Sequence, residues 1–362
     1  MKEPKSSRPR IQPRILILFL ILGIPPLLLA HVLLVTRAEN RFREVVGTYF
    51  GQTAQQLQSE LVHYVEGLQV QVANLASLPE MQEMARRSSQ AAPTEASFQE
   101  EMRQVDSEWP TLKPETSKLM AEVMNNPTSD FIRQQNRVTA AFREILVSAR
   151  YGRLVAATGK TTDYFQADEP WWRMAYLEGK GQRYISDISY DESAGVYSIE
   201  IAEPVRDSLS GEVLGIVKGI ADSHTMFGML DNIKFGRDAT AVVIRPNGTM
   251  VTSPGSSELY PYAGAVLNAL AHNRRWVEAP ASRPGFFLGL PQTGVKSQIP
   301  ELDWVLVVEA PYEEVYSPFQ NLQSWFLYIA LFSVGLVIVL SLLFTWILSK
   351  PIIETDPHLE RV

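Results

Sequence analysis

Two long apolar runs that contain no Asp, Glu, Lys or Arg constrain this chain more than any other feature. The first extends from Ile15 to Val35 and the second from Trp325 to Leu348. At a rise of 1.5 Å per residue, a helix of either length crosses a hydrocarbon layer of roughly 30 Å. The sequence therefore predicts two transmembrane helices, at residues 15–36 and 325–348.

The distribution of charge predicts the topology of these spans. Five basic residues precede the first run, and Lys350 follows the second. Since cytoplasmic segments carry the excess of Lys and Arg, we expect a cytoplasmic N-terminus (residues 1–14) and a short cytoplasmic tail (residues 349–362). The first run exceeds the ~7–15 residues of a signal-peptide core, which favours an uncleaved anchor. Residues 37–319 then form the working domain outside the cytoplasm.

Composition excludes several classes of function. With 33 Lys and Arg against 40 Asp and Glu, the chain is mildly acidic and lacks a basic nucleic-acid stripe. It has no cysteine and five scattered histidines, so no disulfide, thiolate metal site or zinc motif is expected. No catalytic elbow or phosphate loop is present, and no cofactor is expected. An extracytoplasmic enzyme is the interpretation that the sequence favours least.

The outer segment begins with helices. From Arg37 to about Ala85, apolar residues recur every three or four positions, which predicts one long helix. This helix either transmits displacement toward the membrane, pairs with a second subunit, or serves as a packed spine. The polar stretch Ser88–Ala96 predicts a loop. Three shorter helices are expected at Phe98–Trp109, Ser117–Met124 and Ser129–Ala141.

Strand patterns follow in two successive groups, each with a short helix. The first group lies at Glu144–Ser148, Leu154–Ala157, Gln182–Ser189, Val196–Val205 and Val213–Ile220, with a helix at 170–176. After a connecting helix at His224–Ile233, the second lies at Asp238–Ile244, Thr249–Thr252, Gly285–Leu290 and Trp304–Ala310, with a helix at Tyr262–His272. The predicted fold is α+β, with two tandem PAS-like antiparallel sheet modules at about residues 86–223 and 234–315.

Several segments in this order resemble a known family. They are Trp171–Ala175, Tyr184–Asp191, Gly195 and Gly215–Gly219 in the first module, and Asp238–Thr252 and Leu302–Val308 in the second. Together with the two flanking spans, they resemble the double Cache extracellular sensor domain of bacterial histidine kinases and chemoreceptors. The resemblance covers roughly Arg37–Phe319. It implies a bacterial cell-membrane protein of the signal-transduction or chemotaxis type, with its sensor domain in the periplasm.

The resemblance also implies a ligand pocket in the membrane-distal first module, between the sheet and the short helix. Aromatic walls exclude water and stack on cations, while carboxylates and arginine hold opposite charges. Core packing of the aromatic residues and turn formation by Asp191 are the alternative explanations. By position, the ligand-binding candidates are Trp171, Trp172, Arg173, Tyr184, Asp187, Tyr190, Asp191 and Asp222.

The chain departs from the amino-acid-binding members of this family. Where those members carry an arginine two residues before the first tryptophan, this chain has Glu169. Their aspartate five residues after the strand glycine is Ile220 here, with Asp222 two positions on, and Ser189 replaces a tyrosine. These exchanges argue against an ordinary amino acid as the ligand. Glu169, together with Asp187 and Asp191 and the aromatic neighbours, favours a cationic ligand such as an amine.

The C-terminal segment determines which receptor type is expected. Ser349–Ile353 resembles the start of a HAMP relay helix, and the chain ends at Val362 without an output domain. We therefore expect a sensory input that is truncated relative to its relatives, split from its output, or dependent on a separate cytoplasmic signalling protein. A membrane-tethered adaptor without its own output is the alternative. The resemblance also implies a homodimer, and no nucleic-acid partner is expected.

Overall fold

The computed structural model describes residues 13–90, 95–113, 116–231, 233, 237–256, 258–279 and 285–348. The chain divides into two compact units. One comprises Gly47–Pro311, and the other combines Met1–Val46 with Tyr312–Val362.

The flanking unit is built on two long helices. Helix α1 spans Pro13–Ser77 and helix α9 spans Tyr312–Leu348, and each contains a stretch long and apolar enough to cross a membrane. Within this unit the ring of Phe42 lies 5.3 Å from that of Phe319, and Phe19 lies 6.1 Å from Phe344. Both predicted spans are therefore helical. The predicted relay segment Ser349–Ile353 lies outside the described residues.

The helical part of the unit Gly47–Pro311 differs from the sequence prediction at two places. Helix α1 ends at Ser77, eight residues earlier than expected, and α2 (Pro79–Gln90) follows. Proline lacks the N–H that would continue α1, but it fits the first turn of a new helix. Of the expected loop Ser88–Ala96, residues 88–90 belong to α2 and residues 95–96 to the next helix, and residues 91–94 lie outside the described residues. Three further helices match the prediction closely: α3 (Glu95–Glu108), α4 (Lys118–Met124) and α5 (Pro127–Thr139).

The first sheet contains six antiparallel strands in the order β2-β1-β6-β5-β3, with β4 paired to β5. Helix α6 (Pro170–Tyr176) lies between β2 and β3 in the chain. Leu146 and Ile216 of the sheet pack in one buried core with Trp109 and Trp171 of the helices. The strands are β1 (Glu144–Ala149), β2 (Leu154–Ala157), β3 (Tyr184–Ile185), β4 (Ser189–Asp191), β5 (Val196–Arg206) and β6 (Val213–Asp222).

The second sheet has four antiparallel strands in the order β7-β10-β9-β8. Helix α7 (Ser223–Gly228) and a 3₁₀ turn at Met229–Asp231 replace the single helix expected over 224–233. The strands are β7 (Thr240–Ile244), β8 (Trp276–Glu278), β9 (Phe286–Gly289) and β10 (Val305–Pro311), and α8 (Ala263–Ala271) precedes β8.

Two details of the second sheet correct the prediction. The expected strand Thr249–Thr252 forms isolated bridges at Thr249 and Met250 in place of a ladder. Strand β8 was not predicted, because three residues beside two arginines give no detectable alternation. The predicted α+β class with two tandem antiparallel sheets is confirmed.

Helix α1 packs on both sheets of the unit Gly47–Pro311. Phe50 contacts Phe287 edge-on at 5.3 Å, and a Cβ at Gly289 would lie 2.5 Å from the Phe50 backbone. Further along α1, at the first sheet, a Cβ at Gly219 would lie 3.1 Å from the Val72 side chain. Glycine at these positions allows close approach, so the C-terminal half of α1 forms a common support for both sheets.

Candidate functional site

A polar cavity of about 230 Å³ lies in the first module, between the sheet, helix α6 and the turn after β4. We call it the acid-lined cavity. Its lining includes five carboxylates and one amine, together with the indole of Trp171. The charged lining residues are Asp163, Glu169, Asp191, Glu192, Glu200 and Lys218.

Among the residues described in this lining, Lys218 is the one that carries a basic group. It lies on β6 with its side chain 7% exposed, and its Nζ is 2.7 Å from Glu200 Oε1 and 3.9 Å from Asp191 Oδ2. The same Nζ lies 4.8 Å from the centre of the Trp171 ring, in cation–π geometry. A buried ammonium group needs such partners, because it loses its hydration. The cavity thus already holds one cation against its aromatic wall.

Asp163 lies in the loop before α6, among other carboxylates. One oxygen of each of Asp163, Asp168 and Glu169 lies within 4.8 Å of the others. Burial, and then the negative charge of Glu169, raise the pKa of Asp163 to about 7, although Gln166 Nε2 donates to its Oδ1 at 2.6 Å. A cation in the cavity would relieve this repulsion. Oxygen ligands of this kind suit a hard metal ion or an ammonium group.

The turn between β4 and β5 forms another wall. Asp191 Oδ1 accepts hydrogen bonds from Ser193 Oγ at 2.7 Å and from the Ala194 N–H at 2.8 Å. Gly195 closes the turn with a φ of 68°, in the left-handed region that favours glycine. The Asp191 carboxylate is therefore held in place by its own turn.

Three of the residues proposed from the sequence line this cavity: Trp171, Tyr190 and Asp191. Trp171 projects from α6, a short helix that begins at Pro170 because proline suits a first helical position. Tyr190 lies on β4, and the centre of its ring is 5.3 Å from that of Tyr197. The structure brings these three side chains together in the lining of one cavity.

Three further candidates do not line this cavity, and two of them, Trp172 and Arg173, line a separate cavity of about 1180 Å³. Trp172 is buried, donates from Nε1 to Ser148 Oγ at 3.0 Å and stacks on Tyr176 at 4.5 Å. Arg173 is exposed and donates to the Ala167 carbonyl at 3.2 Å. Tyr184 packs against the core of the first module, where burial raises the pKa of its hydroxyl.

The two remaining candidates lie elsewhere. Asp187 accepts hydrogen bonds from Arg245 and Trp304, both in the second module. Asp222 caps helix α7 by accepting from the His224 N–H at 2.8 Å. Both carboxylates thus have structural partners outside the acid-lined cavity.

Sequence reasoning did not select Lys218, Glu200 or Asp163 as site residues. For Lys218 a signal exists, because a lone lysine inside the apolar run Gly-Ile-Val-Lys-Gly-Ile must be buried and therefore paired. Asp163 and Glu200 carry no comparable local signal. They reach the cavity only through the path of a loop and the register of β5 on β6.

Comparison with known proteins gives one local sequence relative and a set of similar structures. No family model matches the chain. The methyl-accepting chemotaxis protein McpA of Pseudomonas putida is 25% identical over 96 residues, which are 26% of this chain and 14% of that protein.

The similar structures are ligand-binding domains of bacterial chemoreceptors. That of PctB from Pseudomonas aeruginosa, in complex with L-Arg, is 17% identical with a TM-score of 0.47, covering 75% of this chain and 98% of its own. The domain of CtaA from Pseudomonas fluorescens, in complex with L-serine, is 15% identical with a TM-score of 0.47. The match covers 75% of this chain and 99% of the CtaA domain. That of Tlp3 from Campylobacter jejuni is 10% identical with a TM-score of 0.49 and covers 76% and 94%.

Proposed function

We propose that this chain is the extracytoplasmic sensing input of a bacterial transmembrane receptor, and that it binds a small cationic molecule in the acid-lined cavity. The observation that carries this proposal is the charge of the lining, where five carboxylates face one lysine beside the ring of Trp171. An anionic or neutral ligand would leave this excess charge uncompensated, whereas an ammonium group compensates it.

The size of the cavity restricts the ligand. With a volume of about 230 Å³, the cavity is small, so we expect a small aliphatic amine or diamine as the ligand. Lys218 occupies one position on the aromatic wall, so the ligand binds toward Asp163, Glu169 and Glu192.

The connection to the candidate spans supports the receptor assignment. Helix α1 continues without interruption from its apolar segment to Ser77, and β10 leads directly into α9. A ligand bound in the first module can shift the protein between two conformations only by the difference in its affinity for them. This coupling free energy is typically about 1–3 kcal/mol. The local similarity to a methyl-accepting chemotaxis protein agrees with this role.

The test of ligand class is calorimetric titration of the full chain in detergent. The panel contains ethylamine, 1,4-diaminobutane, choline and L-arginine as cations, and L-serine and succinate as controls. We expect selective binding of one or more cations, weakened at least tenfold in Asp163→Asn and Glu192→Gln. Glu66→Gln, an exposed change on α1, serves as the matched control. A folded chain that binds succinate or L-serine as well as any cation contradicts the proposal, and a folded chain that binds nothing favours the adaptor alternative.

The proposed topology has a separate test, because the natural chain contains no cysteine. A membrane-impermeant maleimide should label Ser210→Cys in intact spheroplasts, since Ser210 is exposed in the loop between β5 and β6. Lys5→Cys should be labelled only after lysis. Labelling with the opposite pattern would reverse the orientation and contradict a periplasmic sensor.

A further inference from the structure

A second cavity of about 520 Å³ lies beside the acid-lined cavity and has the opposite charge. It is formed by the end of α5, the start of β1 and the residues that follow β2. Four basic side chains line it, and of the lining residues that the structure describes only Glu144 carries a carboxyl group. The basic residues are Arg133, Arg137, Arg143 and Lys160. We call this the basic cavity.

The positive charges of the basic cavity are poorly compensated. Among the described residues, the guanidinium groups of Arg137 and Arg143 have no hydrogen bond or ion pair. Lys160 Nζ donates to two backbone carbonyls, of Pro110 and Leu112, which leave its charge in place. Arg133 contacts Asp130 at 2.7 Å, but that carboxylate is 71% exposed.

The backbone that carries these groups is held rigidly. Asn136 Nδ2 donates to the Phe142 carbonyl at 2.7 Å, and its Oδ1 accepts from the Phe142 N–H at 3.1 Å. The Arg143 N–H donates to Ile220 O at 2.7 Å and so fixes the start of β1 on β6. The link between α5 and β1 is thus held to α5 by Asn136 and to β6 by the Arg143 backbone.

Glu144 supplies an independent sign of a ligand site. The residue is 4% exposed, and its Oε1 has no hydrogen-bond partner among the described residues. This oxygen points toward the cavity wall, 3.7 Å from where a Cβ on Gly159 would lie. Burial is the main cause that raises the pKa of Glu144. In its acid form this carboxyl group has one O–H to donate.

From this geometry we propose that the basic cavity is a second ligand site, which binds a small oxyanion such as a carboxylate or an inorganic phosphate or sulfate. The paired N–H groups of an arginine guanidinium match the paired oxygens of such anions, and the acid form of Glu144 adds an O–H donor in the cavity lining. The site is separate from the cation site proposed above and does not depend on it.

The two cavities share one side chain. Ser193 lines both, and its Oγ lies 2.8 Å from Glu144 Oε2 and 2.7 Å from Asp191 Oδ1. Since a hydroxyl has one proton, it donates to one carboxyl group at a time. When the acid form of Glu144 donates its one proton to an anion, it no longer competes for the Ser193 proton, which then goes to Asp191. Anion binding therefore orders the wall of the acid-lined cavity.

The test is calorimetric titration of the full chain in detergent with sodium sulfate, sodium phosphate and sodium malonate, with sodium chloride at equal ionic strength as reference. We expect saturable binding of sulfate or malonate, weakened at least fivefold in Arg137→Gln and in Arg143→Gln. Arg274→Gln, an exposed arginine outside both cavities, should leave affinity unchanged. Preference for sulfate and phosphate identifies an inorganic anion as the ligand type, and preference for malonate identifies a carboxylate.

The proposal would be overturned if sulfate and malonate bound no more tightly than chloride. It would also be overturned if Arg274→Gln weakened their affinity as much as Arg137→Gln and Arg143→Gln do. A second arm examines Glu144 with sulfate, which stays a dianion at about pH 6 and about pH 8. The groups facing Glu144 are Ser193 and Asp191 on the turn after β4, Lys218 on β6, Arg133 and Arg137 on α5, and Arg143 and Lys160.

Because the acid form of Glu144 donates to the anion, sulfate should bind the natural chain more weakly at the higher pH. Glu144→Gln keeps a donor at every pH, so its sulfate affinity should change less between the two values, with the remaining change due to Asp163 in the acid-lined cavity. An equal pH response in the two proteins would refute the role of Glu144. None of these readouts uses an amine, so the outcome is independent of the cation titration.

Discussion

The carboxylate of Asp187 and the guanidinium of Arg245 join the two sheet modules through two hydrogen bonds, of 2.6 and 3.0 Å. Trp304, fully buried in the second module, adds a third bond from its Nε1 to the same carboxylate at 2.9 Å. Burial acts to raise the pKa of Asp187, and the bonds from Arg245, Trp304 and the Ile188 N–H outweigh it and lower the pKa. The ionised carboxylate is therefore a structural link between modules.

Replacing Asp187 by alanine should lower the free energy of unfolding by about 1–3 kcal/mol, because the buried indole N–H of Trp304 loses its acceptor. Urea unfolding of the full chain in detergent measures the difference. Asp303→Ala is the control, since its pair with Lys296 is exposed and should contribute less than about 1 kcal/mol. The folded pKa of Asp187 is lowered, so its contribution is present above the unfolded pKa of about 3.9 and disappears as pH falls through the folded value. Equal losses in both variants at neutral pH would contradict the link.

Lys218→Met should be among the most destabilising single changes in the first module. It leaves Glu200 and Asp191, whose side chains are 16% and 8% exposed, without their counter-charge, at a cost of about 3–5 kcal/mol. Adding Glu200→Gln should recover at least half of this loss, because one uncompensated charge disappears. Urea unfolding gives the free energies of unfolding of the natural chain, the two single variants and the double variant, which form a double-mutant cycle. Lys118→Met, which removes an exposed pair at 3.8 Å, should have almost no effect.

Asp163 should make the stability of the protein depend on pH near neutrality. Its folded pKa of about 7 lies above the unfolded value of about 3.9. Above the unfolded pKa, the unfolded chain loses the proton that the folded chain keeps, so stability decreases as pH rises until about 7 and then levels off. Asp163→Asn should therefore raise the thermal midpoint more at about pH 8 than at about pH 5. A shift of the same size at both pH values would show that Asp163 does not titrate in this way.

The same group should make amine binding pH-dependent. Aliphatic amines keep their charge to about pH 10, whereas Asp163 gains its negative charge through about pH 7. The affinity of a cation for the acid-lined cavity should therefore increase between about pH 6 and about pH 8 in the natural chain. In Asp163→Asn the affinity should be lower and nearly constant over this range. Titration calorimetry at both pH values provides the measurement.

Gly215 in β6 should tolerate no side chain. A Cβ there would lie 2.1 Å from the Ser148 carbonyl oxygen on the neighbouring strand β1, so Gly215→Ala must separate two central strands. We expect a loss of about 3 kcal/mol or more in unfolding free energy. Gly264→Ala in α8, where a Cβ would meet nothing within 4 Å, should be neutral or stabilising by up to about 1 kcal/mol. Comparable thermal midpoints for the two variants would contradict the close strand approach.

The elements whose cause is local were predictable from the sequence. The two spans follow from uncharged length alone, and α6 follows from Pro170 and the spacing of the aromatic residues after it. The turn at Asp191 and Gly195 is equally local, since aspartate caps it and glycine supplies its positive φ. Trp171, Tyr190 and Asp191 belong to these two local elements, and the family resemblance placed them among the ligand-binding candidates.

The remaining residues of the two cavities depend on contacts that no local pattern encodes. Asp187 meets Arg245 across 58 residues, and Ser193 reaches Glu144 across 49. Strand register decides that Lys218 faces Glu200, and the loop before α6 decides that Asp163 joins them. The sequence by itself determined the architecture, because helix and strand periodicity and span length are local properties. Only the tertiary structure decided the charge of each cavity, because that charge is the sum of side chains brought together from distant parts of the chain.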